Sequence, residues 1–194
     1  MIKPLNAAYI KEVAEIHQEA LKGDFFPSLG INFLKTFYEG VFKNSDLYGF
    51  GIFQGRKLCG FVIGTKDSGK FFSEVFKSRF LKLSLIVFIQ LLKNPNHLKN
   101  ILETFLYTKR VEGPKSELVV IAVDRNFQGK GAGKLLVNAL ESAFKKDSIR
   151  SYKLTVHADK KSVGFYEHLK FSRISSFNLY GKMWYIYEKE IKLK

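Results

Sequence analysis

An α/β (α+β) fold, a mixed sheet with helices on its faces, is predicted by three features of the sequence. Residues 119–123 (VVIAV) are short, β-branched and apolar on both faces, the signature of a buried central strand. Beyond a glycine-crowded turn, Leu135, Leu136, Ala139, Leu140 and Ala143 recur at helical spacing and give one apolar face. Short apolar runs separated by turn residues, at 48–53 and 58–65 and again at 171–177 and 183–190, read as antiparallel pairs.

Taken in order, residues 2–5 can form a first strand, and Asn6 is a fitting N-cap for a helix through about Leu21. Ile10, Val13, Ala14, His17 and Leu21 form its apolar stripe, so His17 reads as a core or cleft-wall histidine. Residues 22–30 (KGDFFPSLG) are a loop by their glycines and proline. A second helix carries Phe33, Leu34, Phe37, Tyr38 and Val41 on one side, and the hairpin turns at Gln54-Gly55-Arg56-Lys57. Residues 70–112 form a helical insertion, a pair broken at Asn94-Pro95-Asn96, with eight Lys and Arg against three Glu. Its run at 80–92 has Lys82 as its one charge and is too short to span a bilayer, which takes about 20 apolar residues. The insertion could cover a groove, pack in a homodimer or touch a membrane surface. A strand at 151–157 and a short helix at about 161–169 lead into the last two strands.

The 194 residues suit a single domain over 1–194. One cysteine, Cys59, excludes an internal disulfide and a cysteine-built metal site, and no metal is expected. The N-terminal residues lack the apolar stretch of a secretory signal, so a cytoplasmic location is expected. A net charge of +14 and a pI near 9.7 favour an anionic partner: a phosphorylated cofactor, nucleic acid or an anionic membrane.

Between the central strand and its helix, Gln128-Gly129-Lys130-Gly131-Ala132-Gly133 brings backbone N–H groups together at a helix N-terminus, where unpaired donors and the helix dipole favour an anion. Two common phosphate motifs fail. At Gly64-TKDS-Gly69-Lys70, Phe71 stands where a P-loop needs a hydroxyl for magnesium, and the glycines at 129, 131 and 133 are not spaced as G-x-G-x-x-G.

The stretch instead resembles the acyl-CoA-binding signature Q/R-x-x-G-x-G/A of the GNAT superfamily of N-acetyltransferases, filled by Gln128, Gly131 and Gly133 after Ala122-Val123 and Phe127. Downstream, Asp159-KKSVGFYEHLKF resembles that family's N-x-x-A-x-x-F-Y-x-x-x-G-F, with Phe165, Tyr166 and Phe171 in place. Asp159 replaces Asn, Ser162 replaces Ala, and Lys170 replaces the Gly before Phe171, which changes the requirements of that turn. The resemblance implies a mostly antiparallel GNAT sheet interrupted by the insertion, and acetyl-CoA as co-substrate. Ile121, Ala122 and Val123 would face the pantetheine arm, which the backbone of Ile121 and Val123 would take up as an added strand. The N–H groups of Gln128, Gly129, Lys130, Gly131, Ala132, Gly133 and Lys134 would hold the pyrophosphate, with Asp159 and Tyr166 also beside the cofactor.

Aminolysis of a thioester needs a neutral amine, a stabilised oxyanion and a protonated leaving thiol. A lysine-like amine, pKa near 10.4, is neutral in only about one molecule in two thousand at pH 7, so a base is required. Glu117 and His157, at the ends of two strands, are the candidates. The resemblance gives Tyr166 the role of acid toward the departing thiolate. It also places the acceptor between the loop at 22–30 and the turn at 177–182, near Asp24, Phe25, Phe26, Tyr180 and Trp184. The leading expectation is a small-molecule primary amine such as an amino sugar, without nucleic acid. The alternatives are a protein N-terminal or lysine acetyltransferase, and a non-catalytic basic module that binds nucleic acid or membrane.

Overall fold

The computed structural model describes residues 1–107, 112–159 and 162–192. Among these residues seven strands form one sheet in the order β1-β2-β3-β4-β5-β7-β6. They are β1 (Ile2–Pro4), β2 (Leu47–Gln54), β3 (Lys57–Thr65), β4 (Glu117–Val123), β5 (Ser151–His157), β6 (Ser172–Leu179) and β7 (Lys182–Glu190). Every neighbouring pair is antiparallel except β4 and β5, which are parallel. The mostly antiparallel mixed sheet is therefore the one expected.

Each face of the sheet carries its own core. Helices α1 (Ile10–Ala20) and α3 (Ile31–Val41) cover one face, where Val13, Ala14, Phe33, Leu34, Phe37 and Phe61 are buried. Asn6 caps the entry to α1 by accepting from Ala8 N–H at 2.9 Å, although the first turn, Ala7–Tyr9, is a 3-10 turn. The other face is covered by α7 (Ala132–Lys146) and α8 (Ser162–His168), through Leu136, Val137, Leu140, Phe144 and Tyr166. Leu140 reaches β3 because Gly64 has no side chain: a Cβ there would lie 2.6 Å from the leucine. Truncating so fully buried a leucine to alanine costs roughly 2–5 kcal/mol.

Two local readings change. Residues 22–30 are more than a loop, since Phe25–Ser28 form a turn of helix, α2, whose Phe25 and Pro27 are buried. The insertion is three helices rather than two: α4 (Ser68–Ser78), α5 (Phe80–Lys93) and α6 (His97–Tyr107). The extra break falls at Arg79, which leaves helical geometry at φ −129 while its side chain pairs with Glu39 at 3.3 Å. Breaking there lets α4 bury Phe71 and Val75 and α5 bury Leu83 against the same core. No Gly or Pro marks that break in the sequence; it is set by packing.

Candidate active site

Strands β4 and β5 pair at a single described position near their starts. Glu117 pairs with Lys153, Lys153 N–H donates to Ser116 O at 2.9 Å, and beyond that point no further β4–β5 pair is described. On its other side β4 pairs with β3 up to Val123, and Asp124 N–H continues the ladder by donating to Cys59 O. Strand alternation then turns the main-chain groups of Val120 and Ala122 toward β3, and those of Ile121 and Val123 toward the gap. A splayed pair of parallel strands leaves a strand-wide slot with backbone donors and acceptors along one wall, the kind of edge an extended amide-bearing ligand can pair with. This geometry suits the backbone contacts expected for Ile121 and Val123; Ala122 is buried with its main chain toward β3.

At the end of β4 the chain turns through Arg125–Phe127 into the glycine loop. Gln128 Nε2 donates to Val123 O at 2.9 Å, so the glutamine ties the loop to the strand end. Gly129 and Gly131 take φ +72 and +80, and a Cβ on either would meet nothing within 4 Å. Gly131 is the N-cap of α7, so the loop opens onto the unpaired N–H groups of a 15-residue helix. Gly133 serves packing instead, because its missing side chain admits the Phe165 ring, which would stand 3.0 Å from a Cβ. Ala132 is buried in the first turn and Lys134 is exposed beside it. Lys130 points back, donating to Asn126 O at 2.8 Å over the ring of Phe127. These residues fit the pyrophosphate of coenzyme A: an open, positive-φ cradle of N–H groups beside a free strand edge.

A cavity of about 570 Å³ runs from this slot to the insertion. Val119–Ile121 face Thr155–His157 across it, Tyr166 lies beside them, and Phe25, Phe26, Phe72, Phe76, Tyr180 and Trp184 line the far part. Glu117 and Asp24 also line it. All of the residues expected at the acceptor end are thus brought together with all three expected at the chemistry. Asp159 is less involved: its carboxylate is exposed and lies 3.8 Å from His157 Nδ1.

Tyr166 is buried, its ring edge-on to Phe165 and Phe171, and burial pushes its phenol well above the usual tyrosine range. It stays protonated at any physiological pH, as a proton donor must. His157 is buried too, and its Nδ1 accepts the Asp159 N–H at 3.2 Å. A neutral ring in that arrangement carries its proton on Nε2, which has no hydrogen-bond partner among the described residues. With one nitrogen engaged and the other protonated, His157 is a donor and has no lone pair for the amine proton. Glu117 is buried at the root of the slot and lines the cavity.

Sequence reasoning missed Glu103 and Thr104, which hold Tyr180 and close the chamber. Thr104 Oγ1 and Tyr180 Oη are 2.8 Å apart, and Tyr180 N–H donates to Glu103, so α6 is latched to the β6–β7 turn. Tyr180 adopts φ +56 to do this. His17 lines the same cavity while its Nδ1 lies 2.7 Å from Tyr38 Oη, making it a cleft-wall histidine as read. No residue spacing joins 17, 72, 76, 104 and 180; only the packed insertion does.

The β4–β5 slot ends in a glycine cradle at a helix N-terminus, an arrangement with room for an extended, phosphate-bearing ligand. The family model described as an acetyltransferase (GNAT) domain matches residues 107–180. That match covers less than half of the chain and takes in the central strand, the glycine loop and Tyr166. Among solved structures it is similar to the ribosomal-protein-S18-alanine N-acetyltransferase of Escherichia coli, at 17% identity and a TM-score of 0.65 over 100% of this chain and 95% of that one. The PaiA N-acetyltransferase of Thermoplasma acidophilum, in complex with coenzyme A, is similar at 18% identity and a TM-score of 0.61, covering 98% of each chain. An N-acetyltransferase from Staphylococcus aureus gives 14% identity and a TM-score of 0.63 over 99% of this chain and 98% of that one. At these identities the likeness is one of fold. No curated protein matches the sequence.

Proposed function

We propose that the chain transfers an acetyl group from acetyl-CoA to a primary amine carried on an apolar body, namely the N-terminal amine of a peptide or protein that begins with apolar residues. The carrying observation is the continuous cavity that joins the slot to an aromatic chamber. An amino sugar, the first expectation from sequence, suits this chamber poorly. Its hydroxyls would face phenyl rings, and each buried hydroxyl left without a partner costs about 1–3 kcal/mol. A peptide N-terminus with apolar side chains avoids that cost, and the similar Escherichia coli enzyme is named for acetylating a protein alanine. A second reading, a small aromatic amine, is favoured by the latch of α6 onto Tyr180, which roofs the chamber.

Acetyl-CoA, when bound, supplies the thioester carbonyl. In this reading Glu117 takes the proton of the incoming ammonium, directly or through one water. A main-chain N–H at the free edge of β4, near Val123, polarises the carbonyl oxygen. Tyr166, kept protonated by its burial, donates to the departing sulfur. The aromatic walls exclude water, so that the amine rather than a hydroxide reaches the carbonyl.

A coenzyme A release assay tests the acceptor. Peptides beginning with Ala, Met-Leu or Phe should exceed glucosamine in kcat/KM by at least ~100-fold, the equivalent of two unpaired hydroxyls. Glucosamine as the best acceptor would sink the proposal. Turnover of phenethylamine with no turnover of any peptide would select the second reading.

A further inference from the structure

The outward face of α5 is apolar, and its margins are basic. Leu81, Leu85, Phe88 and Leu92 stand at i, i+4, i+7 and i+11, the spacing of one helical stripe, and all four are exposed, Leu81 by 83% and Leu92 by 70%. The opposite face, with Leu83, Ile86 and Val87, already packs on the core, so this second apolar face is not needed for folding. Phe80, Ile89 and, from α6, Leu98 and Leu102 widen the patch. Of the twelve exposed large hydrophobic residues described, these eight lie in α5 and α6. Around them stand exposed Lys77, Lys82, Lys93 and Lys99. Acidic groups near the patch are few: Asn44 donates to Glu74, Glu103 accepts from Tyr180 and lies 3.9 Å from Lys99, and Glu39 lies 3.6 Å from Lys82, whose side chain is still 64% exposed.

We infer that this face docks the enzyme on an anionic lipid bilayer, with α5 lying in the interface plane. Three observations choose that occupant. Helix α5 has 14 residues and is about 21 Å long, short of the roughly 30 Å hydrocarbon core, and no helix among the described residues is long and apolar enough to cross a membrane. An apolar stripe of that length with lysines at its margin is the pattern of a helix that lies on the surface. The charge sign opposes a self-complementary pairing: a second copy seated on the same face would bring the lysines at the ends of the two α5 helices together, on two chains of net charge +14 each. An anionic leaflet meets the same lysines with attraction. The cavity reaches this margin, because Phe76, Lys77 and Phe80 line it. The chamber mouth therefore sits beside the lipid surface, whatever amine it accepts.

Vesicle co-sedimentation of the full chain tests the docking. Binding to phosphatidylcholine–phosphatidylglycerol vesicles is expected, with weak binding to phosphatidylcholine alone and loss in high salt. Leu85→Glu with Phe88→Glu should lower the partition coefficient at least ~30-fold, while Ile174→Glu, exposed on β6, leaves it unchanged. Lys82→Gln with Lys93→Gln, which leaves the apolar stripe intact, should lower it roughly fivefold per charge. The thermal shift produced by acetyl-CoA reports that each variant is folded with its donor site intact. No binding to anionic vesicles, or binding by either double variant as strong as that of the native chain, overturns the inference. So does a concentration-dependent dimer that Leu85→Glu with Phe88→Glu dissociates, since the face would then belong to a second copy.

Discussion

Gly55 and Gly131 provide a matched pair for testing the anion cradle. Both have positive φ, +59 and +80, and a Cβ on either meets nothing within 4 Å. Alanine at either position incurs the left-handed strain of about 1–2 kcal/mol and recovers part of it, roughly 0.4–1 kcal/mol, from a less flexible unfolded chain. The two variants should therefore lose similar stability, near 1 kcal/mol, or about 2–4 °C in a chain of this size. They should differ toward the cofactor. Gly55 sits in the β2–β3 hairpin turn, whereas Gly131 is the N-cap of α7, and in the proposed cradle its new methyl would stand over the N–H groups offered to the pyrophosphate. Losing one hydrogen bond to a charged group costs about 1.5–3 kcal/mol, or about 10- to 150-fold in Kd. At a concentration 100 times the original Kd, acetyl-CoA stabilises the protein by about 2.7 kcal/mol, and in Gly131→Ala that should fall to about 1.4 kcal/mol or less. Thermal unfolding with and without coenzyme A reads both numbers. Equal coenzyme A affinity in Gly55→Ala and Gly131→Ala would show that the loop does not hold the pyrophosphate.

Three further outcomes are expected. Glu117→Gln and Tyr166→Phe should each lower kcat by about 10²–10⁴ with coenzyme A affinity kept, measured by thiol release; full turnover in either variant removes that residue from proton transfer. Lys170 holds φ +67 just after α8, with its N–H donated to Glu167 O at 2.9 Å. Lys170→Gly should therefore raise stability by about 0.5–1 kcal/mol, read as a higher Tm; a lower Tm would mean that the lysine side chain outweighs the strain. Burial lowers the His17 pKa from 6.5 to about 4, so between those values the unfolded chain binds a proton that the folded chain does not. Stability is then full above pH 6.5 and is lost as pH falls toward 4, by roughly 3 kcal/mol. Urea unfolding across that window should show the slope in the native chain and a flatter profile in His17→Gln.

Where the chemistry depends on neighbours in sequence, the residues alone were sufficient. The strand-loop-helix unit at 117–146 is local: β-branched residues extend the chain, Gly129 and Gly131 supply positive φ, and the apolar repeat selects the face of α7. The glycine cradle and the helix N-terminus it opens onto follow from those few turns of chain. Distance in sequence hid the rest. The splay of β4 from β5 is a matter of register beyond the pair Glu117–Lys153, and no residue type encodes it. The tautomer of His157 was set by a backbone N–H two residues away, visible only when the turn is folded. The chamber required α4, α6, α2 and the β6–β7 turn to converge, with Tyr180 bonded across 76 residues to Thr104. That the insertion is apolar and basic could be read directly; that its second apolar face points outward could not. Periodicity shows how many apolar stripes a helix has, and only packing decides which stripe meets the core and which remains for a partner.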